Sequence, residues 1–188
     1  MPKTVNVDFS RIEETQEHLK TIQSVLNSGG VVAFPTDTYY GLGANPTNAE
    51  AVGRVFFIKR RPLHKPLLVL VASRRQLNDL VEEIAPDAEK LIQTLWPGPI
   101  TLLFKVSPRL PGNLTAGTGK IGVRLPANGF ASQLIARIGH PLTASSANIS
   151  GSQNIQTARG ARQALGTSVD LIVDGGPAPG GKESSVLD

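Results

Sequence analysis

A chain of 188 residues with 40% hydrophobic content is long enough to bury one sizeable core and short for two domains. It contains no cysteine, which excludes disulfides, thiolate nucleophiles and cysteine-ligated zinc, and its three histidines are too far apart in sequence to suggest a metal site. The net charge of +4 is modest, so it matters to function only where cations are concentrated.

The strand and helix patterns alternate along the chain. Apolar residues at helical spacings predict an amphipathic helix over residues 11–27, which Gly29 and Gly30 end. The continuous apolar run "VVAF" over 31–34 predicts a strand covered on both faces. Thr47 or Asn48 can cap a second helix that runs into "KRRP". The other predicted strands are 5–9, 67–72, 100–106, 120–126, 141–145 and 169–176, and the other predicted helices are 74–81, 87–95, 130–138 and 158–165.

This interleaving predicts one mixed α/β domain over residues 1–188, built around a twisted sheet with flanking helices. We see no internal repeat and no linker. No apolar run reaches the roughly 20 residues that span a bilayer, and the first residues lack the apolar core of a signal peptide. We therefore expect a cytoplasmic protein with no membrane segment.

Polar residues with no evident role in the core begin at "FPTDTYYGLG", residues 34–43. Hydroxyl groups of Thr36, Thr38, Tyr39 and Tyr40 surround the carboxylate of Asp37 directly after a strand end, where ligands bind in open α/β sheets. The same residues could form only a local side-chain turn with packed tyrosines. The sequence alone leaves both interpretations open.

A basic segment, "KRRPLHKP", places Lys59, Arg60, Arg61 and Lys65 within seven positions, and it carries the whole excess of positive charge. Cations after a helix stabilise its C-terminus, so a solvated helix end is one interpretation. Four cations on a loop also suit a polyphosphate or the phosphates of a nucleic acid.

Two further stretches are candidates for a site. Arg124 lies within the apolar strand "KIGVRLP", so its charge requires either an internal ion-pair partner or a ligand carboxylate. "TASSANISG" follows a strand end with small hydroxyl residues and Asn148, and it could be a plain turn or a nest for an anion. Phosphate-loop, dinucleotide-binding and serine-hydrolase signatures are absent from the sequence.

Taken in order, "FPTDTYYGLG", "KRRPLHKPL", "WPGPITLLF", "GVRLP", "TASSANISG" and "ESSVLD" closely resemble the YrdC/TsaC family of threonylcarbamoyl-AMP synthases. The resemblance extends from about Leu26 to the end of the sequence. It implies a YrdC-like fold around a concave, positively charged cavity. It also implies condensation of L-threonine, bicarbonate or CO2 and ATP into threonylcarbamoyl-adenylate and pyrophosphate, for N6-threonylcarbamoyladenosine in tRNA.

The resemblance implies roles for individual residues, with Lys59 and Arg61 as catalytic residues. The implied threonine contacts are Thr36, Arg124 and Ser184, and the implied nucleotide contacts are Lys59, Arg61, Leu63, Lys120, Ser146, Asn148 and Asn154. Mg²⁺ would accompany ATP, with no metal ligand from a protein side chain. The implied partners are tRNA and the machinery that transfers the threonylcarbamoyl group to it.

Tyr39 stands where the family commonly has valine, and Lys120 stands where many members have threonine. Members commonly continue past the position of Asp188, and longer ones carry a second C-terminal domain, which we do not expect over residues 1–188. The alternative function is a non-catalytic module that binds tRNA or double-stranded RNA in the same basic cavity. A carbamoyl-transfer domain of hydrogenase maturation is a third hypothesis, but the zinc-finger segment that accompanies it requires cysteines.

Overall fold

The computed structural model describes residues 2–127, 129–181 and 184–188. In these ranges nine strands form one mixed sheet in the order β1-β8-β2-β3-β7-β4-β6-β5-β9. The strands are β1 Lys3–Asn6, β2 Val32–Pro35, β3 Tyr40–Gly43, β4 Leu68–Leu70, β5 Ile100–Lys105, β6 Lys120–Arg124, β7 Leu142–Ser146, β8 Leu171–Asp174 and β9 Ser185–Leu187. Parallel and antiparallel pairs alternate irregularly across it, with β2 parallel to β8 and antiparallel to β3.

Six α-helices cover parts of this sheet in the described ranges. They are α1 Ile12–Asn27, α2 Ala49–Lys59, α3 Arg74–Leu80, α4 Pro86–Leu95, α5 Phe130–Ile138 and α6 Ala158–Leu165. The predicted mixed α/β class is therefore confirmed. Among the described residues, no helix combines the length and apolar character needed to cross a membrane.

Alternation along the strands sends side chains into two separate cores. On β2, Val32 and Phe34 pack in one core with α1 and α5, whereas Ala33 packs in the other with α2 and α6. Successive side chains of a strand point to opposite faces, so the sheet is covered on both faces at this position. The apolar run "VVAF" reflects this double burial, as the sequence predicts.

Both ends of α2 have local causes in the sequence. Asn48 is the N-cap, and its Oδ1 accepts a hydrogen bond of 3.0 Å from the amide of Ala51. At the other end Arg60 adopts a left-handed conformation with a φ of 48°, which stops the helix at Lys59. Lys59 is therefore a helical residue, and Arg60 begins the loop.

Two strands are absent from the sequence-based prediction, β3 and β9. The β3 sequence "YGLG" contains two glycines, which disfavour strands in isolation, but it pairs with β2 on one side and β7 on the other. Gly43 also has a packing role, because a Cβ there would lie 2.7 Å from Cε1 of Phe34. The exposed strand β9 pairs only with β5 among the described residues, so nothing in its three-residue pattern reveals it.

Replacing Gly43 by alanine is expected to lower the free energy of unfolding by about 1–3 kcal/mol, because the added methyl group collides with the fully buried ring of Phe34. Gly53→Ala in α2 is the matched control. A Cβ at Gly53 would have only Asn113 Nδ2 within 4 Å, at 3.8 Å, so alanine should stabilise the helix by up to about 1 kcal/mol. Urea unfolding of both variants measures the difference, and equal stabilities would contradict the close packing of β3 on Phe34.

Candidate active site

A cavity of about 610 Å³ lies over one face of the sheet. On the three adjacent strands β4, β6 and β5 every second residue lines the cavity, as at Thr101 and Leu103 of β5, where Leu102 points to the opposite core. The core that contains α1 and α5 covers the β2 and β8 part of this face and extends to Leu70 and Ala144, which also line the cavity. The cavity therefore lies beside that core on the same face of the sheet.

The cavity lining is rich in hydroxyl groups, and its described residues include three cationic side chains. The polar lining residues are Thr36, Thr38, Tyr39, Tyr40, Arg61, Thr101, Thr118, Lys120, Arg124, Ser145, Ser146 and Ser184. Leucines of β4 and β5 add apolar surface. This combination suits a small ligand that carries both an anionic group and hydroxyl groups. The positive potential implied by the family resemblance stays a prediction.

Thr36 fixes the turn between β2 and β3. Its hydroxyl donates to the carbonyl of Tyr39 at 2.7 Å and accepts from the amides of Thr38 and Tyr39 at 3.2 and 3.3 Å. The local side-chain turn is therefore present, and Thr36 also lines the cavity, so its contact with a ligand stays a prediction. Tyr39 extends this contact network by donating from its hydroxyl to the carbonyl of Gly181 at 3.0 Å.

Tyr40, next in the chain, is fully buried beneath the cavity, and its hydroxyl donates to the carbonyl of Gly176 at 2.8 Å. Burial, reinforced by the neighbouring Asp174 carboxylate, raises the pKa of the Tyr40 hydroxyl above its usual value. The hydroxyl therefore stays protonated at neutral pH and is unsuited to act as a base.

Arg124 reaches the cavity from the end of β6 with only 5% of its surface exposed. Its guanidinium forms an ion pair and hydrogen bond through one terminal nitrogen, Nη2, with Oδ1 of Asp37, from the turn that Thr36 fixes. Its Nε is buried with no hydrogen-bond partner among the described residues. The internal ion pair considered from the sequence is therefore present, yet it leaves one donor of the guanidinium unsatisfied.

Lys59 is 2% exposed and points from the last turn of α2 to the end of β7. Its Nζ donates to the carbonyl of Asn148 at 2.8 Å, to Asn148 Oδ1 at 3.2 Å and to the carbonyl of Ser146. The Ser146 hydroxyl in turn donates to Asn148 Oδ1 at 2.6 Å. The ammonium group thus holds the turn after β7 in one conformation.

The structure separates the four cations that the sequence places on one loop. Lys59 is buried, Arg60 and Lys65 are exposed, and Arg61 lines the cavity. Arg61 is held by its Nε and a terminal nitrogen, which donate to the carbonyls of Lys65 and Pro66 at 2.9 and 2.8 Å. Burial lowers the pKa of Arg61, but guanidinium remains charged at neutral pH. Of these four cations, Arg61 is the one that belongs to the described lining of the cavity.

The remaining predicted contacts fall at the edge of the cavity or outside it. Ser184 lines the cavity, with its hydroxyl 3.2 Å from that of Thr101, whereas Lys182 and Glu183 of the same segment lie outside the described residues. Lys120 lines the rim and pairs with Asp188 at 2.6 Å.

Two predicted nucleotide contacts lie elsewhere. Leu63 is 78% exposed and lies with Phe57 in a separate groove on α2, and Asn154 is half-buried. Neither of these two belongs to the described lining of the cavity.

The sequence did not identify Thr101 and Thr118 as lining residues, or Asp37 as the partner of Arg124. Thr101 lies on an apolar strand whose alternation predicts burial but does not reveal that one face is a cavity. Asp37 was visible as a polar residue in the first motif, yet its pairing with Arg124 spans 87 positions and has no local signal.

Lys59→Met is expected to lower the free energy of unfolding by about 1–3 kcal/mol, because the carbonyl groups of Ser146 and Asn148 lose their buried donor. Lys65→Met is the matched control, since Lys65 is exposed and its replacement should change stability by less than about 0.5 kcal/mol. Chemical denaturation of the two variants tests this difference. A Lys59 variant as stable as the Lys65 variant would contradict a structural role for the buried ammonium.

Known proteins share both sequence and fold with this chain. The chain is 40% identical over 178 residues to the threonylcarbamoyl-AMP synthase of Pyrococcus abyssi, covering 95% of this chain and 52% of that protein. It is 39% identical to the Chromobacterium violaceum protein of the same name, covering 87% of this chain and 84% of the other. The structure of P. abyssi Sua5 complexed with L-threonine superposes with a TM-score of 0.88 at 36% identity, covering 100% of this chain and 54% of that one.

The chain thus spans about half the length of the P. abyssi proteins it matches. The sequence model of the Sua5/YciO/YrdC family, described as "Telomere recombination", matches residues 24–188. Because this match covers most of the sequence and the fold agrees throughout, the chain belongs to the Sua5/YciO/YrdC family.

Proposed function

We propose that this chain synthesises L-threonylcarbamoyl-adenylate from L-threonine, bicarbonate or CO2, and ATP, with release of pyrophosphate. The observation that carries the proposal is Arg124, a nearly buried cation with an unsatisfied donor, in the wall of a hydroxyl-lined cavity. Support comes from relatives named threonylcarbamoyl-AMP synthase and from a family structure complexed with L-threonine.

Threonine would bind at the Arg124 side of the cavity. A strand-borne guanidinium is rigid and can donate to both oxygens of a carboxylate, so Arg124 would hold the α-carboxylate. Ser184 would contact the substrate from the β9 side of the cavity and Thr36 from the β2–β3 turn, since both residues line the cavity.

ATP would lie across the turn after β7. Ser146 and Asn148 supply a hydroxyl and an amide there, and Lys59 fixes both, so phosphates that approach this turn would meet oriented polar groups. Arg61 would contact the phosphates from the cavity wall. Lys120 at the rim, and Leu63 and Asn154 outside the described lining, would contact the nucleotide only where it extends beyond the cavity.

The reaction needs no covalent enzyme intermediate. The threonine ammonium group first loses a proton to solvent, and the free amine condenses with bicarbonate to a carbamate and water. A carbamate oxygen then attacks the α-phosphorus, and the bond to the pyrophosphate leaving group breaks. The protein contributes by holding the three reactants in line and by placing Lys59 and Arg61 near the charge that develops on the phosphates. Catalysis without a nucleophilic side chain is consistent with a chain that lacks cysteine.

Mg²⁺ would enter with ATP and be held by phosphate oxygens, where it neutralises their charge. Among the residues that the structure describes, the cavity lining offers hydroxyl groups and cationic side chains. In the described ranges, no three histidine or acidic residues come together as metal ligands.

The product is a mixed anhydride of a carbamate and AMP, so it requires a partner that transfers the acyl group. We propose tRNA and its threonylcarbamoyl-transfer machinery for this role.

Pyrophosphate release is expected only when ATP, L-threonine and bicarbonate are all present. Each of the three supplies atoms of the product, so omission of any one should reduce pyrophosphate release to background. An enzyme-coupled pyrophosphate assay with Mg²⁺ measures it, and the adenylate product is identified by mass spectrometry. Release that is independent of threonine would contradict the proposal, and salt-sensitive RNA binding without release would favour the RNA-binding alternative.

Arg61→Ala is expected to lower kcat/KM for ATP by about 10²–10³-fold, the usual effect of removing one donor at developing charge. Arg60→Ala provides the matched control, because Arg60 is adjacent and exposed but does not belong to the described lining of the cavity. Steady-state kinetics should give a near-normal value for the Arg60 variant. Equal losses in the two variants would indicate a general effect of positive charge and would contradict a specific phosphate contact by Arg61.

A further inference from the structure

Asp37 has no role in the proposed chemistry, yet its carboxylate forms the ion pair that accompanies Arg124. The Arg124 side chain is 6% exposed and the Asp37 side chain is 29% exposed. The pair therefore has a buried cationic end and a partly accessible anionic end. The residues on either side of Asp37, Thr36 and Thr38, both line the cavity, so the pair lies at the cavity edge.

The position of Asp37 is set by the turn and not by its own contacts alone. The hydroxyl of Thr36 bonds the backbone on both sides of it, and the amide of Thr36 donates to the carbonyl of Tyr39 at 3.0 Å. A carboxylate held in this way keeps its place when a ligand approaches. Asp37 Oδ1 contacts Arg124, and no hydrogen bond to Oδ2 is found among the described residues.

An ion pair at a cavity edge presents a positive and a negative charge side by side. The head of an α-amino acid is the complementary pair, with a carboxylate and an ammonium group on one carbon. Hydrogen bonds between charged groups are stronger than neutral ones, and a paired site discriminates against a ligand that lacks one of the charges because a polar group is then left unpaired.

We propose that Asp37 is a specificity-determining residue that binds the ammonium group of the substrate while Arg124 binds its carboxylate. Together the two residues select α-amino acids over other hydroxylated carboxylic acids. This inference rests on the proposed binding of threonine in the same cavity. It adds the group that recognises the amine, for which Arg124 and the neutral hydroxyls offer no negative charge.

The test compares two ligands by isothermal titration calorimetry with the full chain. L-threonine and (R)-3-hydroxybutanoate share the carboxylate and the hydroxyl and differ by the amine. The wild-type protein should bind L-threonine more tightly by about 10-fold or more. In Asp37→Asn the ratio of the two affinities should fall towards one, chiefly through weaker binding of threonine, and Asp37→Glu should restore part of it.

Glu89→Gln is the matched control, because it removes the carboxylate of another arginine ion pair, with Arg74, away from the cavity lining. Its affinity ratio should equal that of the wild type. Thermal unfolding of all variants separates loss of fold from loss of discrimination, since a purely structural role would weaken both ligands equally.

The outcomes are distinct. If the wild type binds neither ligand, the proposed function fails and the inference fails with it. If the wild type binds both ligands equally, amine recognition is overturned without any variant, while threonine binding stands. If Asp37→Asn keeps the wild-type ratio of the two affinities, another residue binds the amine and the assignment to Asp37 is overturned.

Discussion

Arg124 lies at the end of β6 with 5% of its surface exposed, and its guanidinium pairs with Asp37 from a turn 87 positions earlier. A cation removed from water costs several kcal/mol unless a partner compensates it, so the β2–β3 turn and β6 have to meet at this point. Thr36 fixes that turn through three hydrogen bonds to its backbone. The guanidinium of Arg124 therefore determines how this cavity wall is arranged. Its Nε has no hydrogen-bond partner among the described residues and could donate to a ligand.

A second buried cation lies beneath the turn after β7. The partners of Lys59 Nζ include carbonyl and hydroxyl oxygens of Ser146 and Asn148. These hydrogen bonds, with the one from the Ser146 hydroxyl to Asn148 Oδ1, hold the turn in one conformation, so its polar groups keep fixed positions beside the cavity.

The sheet supplies the space between these two cations. Leu102, Ile121 and Val123 pack on the core that contains α2 and α3, and the residues alternating with them face the cavity. Gly122 also lines the cavity, and a Cβ at this position would lie 3.2 Å from Cγ2 of Thr101. The absence of a side chain at Gly122 therefore leaves space above the sheet. Period-2 alternation therefore serves two purposes in the same strands, a dry core on one face and a hydroxyl-lined pocket on the other.

The sequence by itself determined the mixed α/β class, most helices to within a residue or two, the cap at Asn48 and the order of the polar motifs, because periodicity, capping and turn chemistry are local. Tertiary structure alone decided that "YGLG" is a strand, since its two glycines gain stability only from pairing with β2 and β7. It also decided that Lys59 is buried while Lys65 is exposed, and that Asp37 is the partner of Arg124. Burial and pairing across 87 positions depend on which strands become neighbours, and no local pattern of residues predicts which strands those are.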